Sequence, residues 1–196
     1  MIQNSEVLIV VPAYNEAVSI AQVISGIHSA GFSCVVVDDG SEDDTSHIAK
    51  EAGAAVLTLP FNAGVGGALR CGFRYAVENG FTAVIQCDAD GQHQSHHFQD
   101  LIRTANETKA DFVLGSRFLS TENTMDPHFV RRFAMWWLAR VASRATGRKI
   151  TDSTSGFRLI RRPLLDELAE HLPEYYLGDT FEALVVVGRA GYAVEE

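Results

Sequence analysis

The sequence predicts an α/β fold, a mostly parallel central sheet with helices on both faces. Short apolar runs alternate with stretches of helical periodicity at intervals of roughly 20–30 residues, the pattern of strand–helix–strand units. Three of those runs end abruptly in acidic or turn motifs, Pro12–Glu16, Asp38–Ser41 and Asp88–His93. Parallel strands bring their C-terminal ends to one edge, and open α/β sheets bind ligands there. A length of 196 residues with 46% hydrophobic content supplies the core of one such domain.

Val7–Val11 is the first strand, ended by Pro12-Ala13-Tyr14-Asn15-Glu16. Glu16 to Ala30 has helical periodicity through Val18, Ile20, Val23, Ile24 and Ile27, and Gly31 stops it. Ser33–Val37 is the second strand. Asp43 or Asp44 then caps a helix running to Ala52, with Gly53 closing it. Ala54–Leu59 is the third strand, and the segment Asn62–Ala68 enters a helix reaching about Asn79. Phe81–Cys87 is the fourth strand, Ser95–Thr108 a helix and Asp111–Gly115 the fifth strand. After the polar loop Leu119–Pro127 the organisation changes. A long basic helix, His128–Thr146, leads through the loop Ile150–Gly156 to a strand at Phe157–Ile160. A short helix from Pro163, another from about Gly178 to Arg189, and the start of a strand at Val194 complete the chain.

Composition excludes several classes. No apolar run approaches the ~20 residues of a membrane-spanning helix, and the N-terminus lacks the basic-then-apolar layout of a signal peptide. Cys34, Cys71 and Cys87 are odd in number and lie inside apolar segments, so they read as reduced core residues of a cytosolic protein. The net charge of −9 hides an asymmetry. His128–Lys149 holds six Arg or Lys and no acid, leaving 10 basic against 25 acidic residues elsewhere. An acidic body with one basic segment argues against nucleic-acid binding and for a localised anionic partner.

Asp88 and Asp90 project together from the fourth strand's end, followed by Gly91, Gln92 and His93. Two close carboxylates repel unless something positive lies between them, and a hard divalent cation bridging substrate phosphates is the usual solution. Alone, Asp-x-Asp is equally a solvated turn. The glycines of Asn62–Ala68 follow the third strand with Gly-x-Gly-Gly spacing, so they are not a dinucleotide fingerprint. They suit either a phosphate at a helix N-terminus or close helix–strand packing. Arg117, just past the fifth strand, suits a diphosphate or anionic acceptor, or a surface ion pair. The Arg/Trp/Phe pattern of residues 129–144 reads as a membrane-interface helix or as an ordinary packed one. Its Arg131 and Arg132 suit an acceptor phosphate. The seven histidines show no metal spacing.

Six motifs stand in order: Pro12–Glu16, Asp38–Ser41, Asn62-x-Gly64-x-Gly66-x-Ala68, Asp88–His93, Gly115-Ser116-Arg117 and Asp152-x-x-Ser155-Gly156-Phe157. Together they resemble family 2 glycosyltransferases of the GT-A (Rossmann-like) fold, in particular the polyprenyl-phosphate, dolichol-phosphate mannosyltransferase-like branch. The match runs from Val7 to Val194. The resemblance implies a single domain over residues 1–196, with 1–118 the nucleotide-sugar half and 119–196 the acceptor-side half. It also implies a GDP- or UDP-sugar donor, held by Pro12, Tyr14, Glu16, Asp39, Gly66, Asp88 and Ala89. Asp88, Asp90 and Gln92 would ligate Mg²⁺ or Mn²⁺.

The same resemblance implies inverting transfer to a polyprenyl phosphate at the cytoplasmic membrane face, with Arg117, Arg131 and Arg132 on the acceptor phosphate. A hydroxyl acceptor would instead need a base, for which Asp179 comes first and Asp152 second. A non-catalytic nucleotide-sugar-binding domain is the alternative of another class. Two departures stand out: Gln94-Ser95 follows Gln-His where relatives carry Pro-Pro or Pro-Glu, and the chain ends at Glu196 where relatives continue into a further strand and a basic loop. The second reads as a truncated or short form.

Overall fold

Val7–Ala13 forms β1, whose side chains alternate between two cores because successive strand residues face opposite ways. Val7, Ile9, Val11 and Ala13 join one apolar cluster, while Leu8 and Val10 join the other. The structure is a computed structural model describing residues 1–91, 97–115, 140, 143, 144, 146–152, 155–172 and 180–196, without the side chains of 180–182.

The other elements are α1 (Ile20–Ser29), β2 (Ser33–Asp38), α2 (Thr45–Glu51), β3 (Ala55–Thr58), α3 (Gly64–Glu78) and β4 (Ala83–Gln86). Then come α4 (Phe98–Thr108), β5 (Phe112–Leu114), β6 (Arg158–Arg161), α5 (Leu164–His171), α6 (Thr180–Arg189) and β7 (Val194–Glu195). The seven strands stand in the order β3-β2-β1-β4-β6-β5-β7. Helices cover both faces. Residues of α1, α2 and α4 pack with one cluster, and residues of α3, α5 and α6 with the other. The predicted α/β architecture is the one observed.

Within this mostly parallel sheet, one strand runs the other way. β6 lies antiparallel between β4 and β5, pairing Ile85 with Leu159 and Val113 with Leu159. It carries the segment after the Asp152–Phe157 motif into the middle of the sheet, so that motif ends beside the C-terminal end of β4.

Several boundaries also shift. Helix α1 begins at Ile20, not Glu16, because Asn15 adopts a left-handed conformation (φ 57°) and the Ser19 and Ile20 amides both turn back onto the Glu16 carbonyl. The start of α2 is organised by Asp43, whose carboxylate accepts the Thr45 amide at 3.0 Å; Asp44 holds the cap position without a side-chain cap bond. The long helix expected over His128–Thr146 and the polar loop Leu119–Pro127 fall almost wholly outside the described residues.

Candidate functional site

Three loops leave the C-terminal edge of the sheet, after β1, β2 and β4. The first two are laced together by side chains. The Asn15 amide donates to Ser41 Oγ at 2.9 Å, and Asn15 Oδ1 accepts the Glu42 amide at 2.9 Å. The Glu16 amide donates to Thr45 Oγ1 at 2.8 Å, and Ser19 Oγ donates to Glu16 Oε2 at 2.7 Å. The Thr45 hydroxyl, donating to Asp43, holds that carboxyl below its ordinary range.

Asp38 and Asp39 end β2 and are nearly buried, at 2% and 4% exposure. Buried carboxylates need donors. Asp38 Oδ1 accepts the Ser41 amide at 3.0 Å, and Asp39 Oδ1 accepts the Ala63 amide at 2.7 Å, immediately before α3. Asp39 therefore sits at the positive end of that helix. Gly40 makes this junction possible. Its φ of +74° suits glycine, and a Cβ there would fall 2.7 Å from the Phe61 carbonyl carbon.

The glycine segment settles partly on packing. Gly66, Gly67 and Ala68 are buried in the first turns of α3. Further along, a Cβ on Gly72 would lie 2.4 Å from Val10 Cγ1, so the helix axis rides close over β1.

Asp88 is half-buried, Ala89 buried and Asp90 exposed, just past β4. Beneath them the Cys87 thiol is pushed up to about 12 by burial, then by the charges of Asp88 and Asp90. Gly156 closes this corner. A Cβ on it would stand 2.8 Å from Asp88 Oδ2 and 3.0 Å from Oδ1, so only a glycine lets the carboxylate lie against that backbone. Close by, Arg158 Nε donates to Gln86 Oε1 at 2.7 Å, and the guanidinium lies 5.7 Å from the Phe112 ring centroid. This buried cation is one strand pair away from the acidic motif, and the sequence reading had not singled it out.

Of the other predicted site residues, Pro12 pairs with Val37 at the end of β1, and Tyr14 is exposed beside it. Asp152 is 1% exposed and its backbone amide is held by Glu196 Oε1 at 2.7 Å. Arg117, Arg131, Arg132, Asp179 and Gln92 lie outside the described residues. So the structure brings Asp39, Glu16, Tyr14, Asp88, Asp90 and the Gly156 backbone to one edge. Phe61, 68% exposed on the loop against Gly40, also stands there. An apolar residue before an Asn-Ala-Gly turn was the only hint of it in the sequence.

Among the described residues no three His, Cys, Asp or Glu converge as a metal cluster. Asp88 and Asp90 offer two carboxylates as hard oxygen donors, and the Asp88 carboxylate packs against the Gly156 backbone. That donor set fits Mg²⁺ or Mn²⁺, which take carboxylates plus substrate oxygens and water.

Comparison with known proteins places the chain in a family. The chain is 31% identical over 170 residues to the polyprenol monophosphomannose synthase of Mycolicibacterium smegmatis, covering 82% of this chain and 63% of that protein. It is 27% identical over 198 residues to a UDP-N-acetylglucosamine–dolichyl-phosphate N-acetylglucosaminyltransferase of Methanococcus voltae, covering 92% and 79% respectively. The chain thus spans a little under two thirds of the length of the first of these relatives. The fold matches that of glucosyl-3-phosphoglycerate synthase from Mycobacterium tuberculosis, crystallised with Mn²⁺ and UDP-glucose. There the TM-score is 0.65 at 19% identity, over 96% of this chain and 68% of the other. Residues 8–169 match the sequence family described as glycosyl transferase family 2. With the acidic motifs assembled at one edge of a GT-A sheet, the chain belongs to glycosyl transferase family 2.

Proposed function

We propose that this protein is an inverting, metal-dependent glycosyltransferase that moves a sugar from a nucleotide-diphosphate-sugar to a polyprenyl phosphate. The observation that carries the reading is that Asp39, at the head of α3, and Asp88 and Asp90, past the end of β4, stand at the same C-terminal edge of the sheet, on strands flanking β1. The relatives named polyprenol monophosphomannose synthase and dolichyl-phosphate N-acetylglucosaminyltransferase support a polyprenyl phosphate as the acceptor class.

In this reading Tyr14 and Pro12 form the apolar floor for the nucleobase, and Glu16 and Asp39 accept hydrogen bonds from base and ribose. Asp88 and Asp90, with Gln92, hold the divalent cation. When bound, that cation neutralises charge on the departing diphosphate. An acceptor phosphate oxygen attacks the anomeric carbon from the opposite face. The bond from that carbon to the diphosphate oxygen breaks, and the nucleoside diphosphate leaves with the electron pair. The acceptor is already an anion, so no general base is required. It needs positioning, which falls to Arg117, Arg131 and Arg132. Asp179 and Asp152 take the base role only if the acceptor is a hydroxyl.

Among the described residues no helix is long and apolar enough to cross a membrane. Peripheral attachment at the cytoplasmic membrane face, through the basic Arg/Trp segment, is the matching localisation. The test is a transfer assay with labelled nucleotide sugars, run against polyprenyl phosphate and polyprenol. Product from the phosphate alone supports the reading. Transfer to the alcohol or a saccharide alone would replace it with the hydroxyl-acceptor alternative.

A further inference from the structure

We propose that Glu196 is a positioning residue for the metal corner of the site, acting through the backbone of Thr151 and Asp152. The inference rests on the donor-site reading above. Glu196 Oε2 accepts the Thr151 amide and Oε1 the Asp152 amide, each at 2.7 Å. Two consecutive amides on one carboxylate form a charge-assisted pair of bonds, stronger and more directional than a single neutral one. The contact joins positions 44 and 45 residues apart, so it is tertiary.

Glu196 is well placed to act as a strut. It follows directly on β7, where Val194 and Glu195 are in register with Phe112 and Val113 of β5. Glu195 adds an ion pair to Arg148 at 2.9 Å, on the near side of the same loop. Ile150 is tied by its amide to Ser143 Oγ at 2.9 Å. On the far side, the Gly115 amide donates to the Phe157 carbonyl at 2.8 Å, and the Phe157 amide donates to Ser155 Oγ at 3.2 Å. Residues 151 and 152 are therefore tied to Glu196 beyond β7, and Phe157 to Gly115 beyond β5. Gly156 lies between these ties, and its backbone is packed against the Asp88 carboxylate, close enough that a Cβ there would stand 2.8 Å from Oδ2. Releasing the Glu196 end lets Gly156 withdraw and leaves Asp88 free to turn away from a cation. Outer groups that orient metal ligands commonly govern metal affinity in this manner.

The decisive experiment measures Mn²⁺ binding by electron paramagnetic resonance in the full chain, with UDP or GDP present, alongside metal-free nucleotide binding. Glu196→Ala should weaken Mn²⁺ by about tenfold while metal-free nucleotide affinity moves less than about twofold. Glu196→Gln keeps one acceptor oxygen and should recover part of the loss. Glu195→Ala, which breaks only the pair to the exposed Arg148 and leaves the bonds to the Thr151 and Asp152 amides, should weaken Mn²⁺ binding less than Glu196→Ala. Unchanged Mn²⁺ affinity in Glu196→Ala overturns the proposal. So does an equal loss of Mn²⁺ and metal-free nucleotide accompanied by a lowered melting midpoint, since that marks a structural role alone. If the parent binds neither Mn²⁺ nor nucleotide, the donor-site reading itself fails and this proposal goes with it.

Discussion

The backbone of Gly156 lies against the carboxylate of Asp88, close enough that a methyl group on Gly156 would stand 2.8 Å from Oδ2. Two segments nearly 70 positions apart in the chain thereby pack against each other in one corner. The first carries the acidic motif after β4, and the second leads into the antiparallel strand β6. Substituting Gly156→Ala should force Asp88 to rotate. The expected cost in stability is modest, about 1 kcal/mol, but metal-dependent nucleotide binding should fall by about tenfold or more. Calorimetric titration with and without Mn²⁺ checks this. A variant with parental metal dependence would show that Asp88 has room to spare.

Asp39 joins β2 to the head of α3 through the Ala63 amide. Asp39→Asn keeps an acceptor for that amide but removes the charge favoured at a helix N-terminus. Stability should drop by about 1 kcal/mol or less, while nucleotide affinity should fall about tenfold if the carboxylate also receives the ligand. Urea denaturation and nucleotide titration separate the two effects. Equal nucleotide affinity in both proteins would confine Asp39 to a helix-end role.

The close approach of α3 to β1 makes Gly72 a packing residue. Alanine usually helps a helix by about 0.5–1 kcal/mol over glycine. Here its methyl would meet Val10 Cγ1 at 2.4 Å, and Val10 is fully buried. Overpacking of that kind costs about 1–3 kcal/mol, so Gly72→Ala should be destabilising on balance. Adding Val10→Ala should restore part of the loss in the double variant, a non-additivity expected of touching residues. Thermal melts of the four proteins test it.

Burial pushes the Cys34 thiol from its ordinary 9.0 up to about 11. The folded chain therefore keeps a proton that the unfolded chain releases above about pH 9. The stability this provides is intact below pH 9 and is lost as pH rises toward 11. The Cys87 thiol, raised to about 12, extends the decline further. Melting midpoints from pH 8 to 11 should fall less steeply in Cys34→Ala than in the parent. Parallel curves would mean that Cys34 ionises without penalty.

Much of this was legible before the structure, for physical reasons that differ by element. The strands β1 to β5 announced themselves because buried strands are short apolar runs punctuated by Gly, Pro, Asn and Asp, and their ends showed where Asp38, Asp39, Asp88 and Asp90 would gather. Strand β6 was legible as a strand but not in its direction. Leu159 and Ile160 are buried on opposite faces, and an apolar run of that kind reads the same both ways. The Arg158–Gln86 pair was invisible for a related reason: each looks like a surface residue until the register of β4 and β6 sets them opposite. Glu196 gave no signal at all, since a glutamate reveals nothing about amides 44 residues away. Asn15 could have been found, because Asn tolerates the left-handed backbone that ends β1 here.

The central claim is that Asp39, Asp88 and Asp90 form one donor site. Its most direct test is the thermal midpoint of the protein against a panel of nucleoside diphosphates and nucleotide sugars, with and without Mn²⁺. Ligands that bind the native state raise the midpoint by mass action. The account predicts a shift with one nucleobase, larger with Mn²⁺, whose metal-dependent part disappears in Asp90→Ala. No shift with any nucleotide, or the same metal-dependent shift in Asp90→Ala, would contradict it.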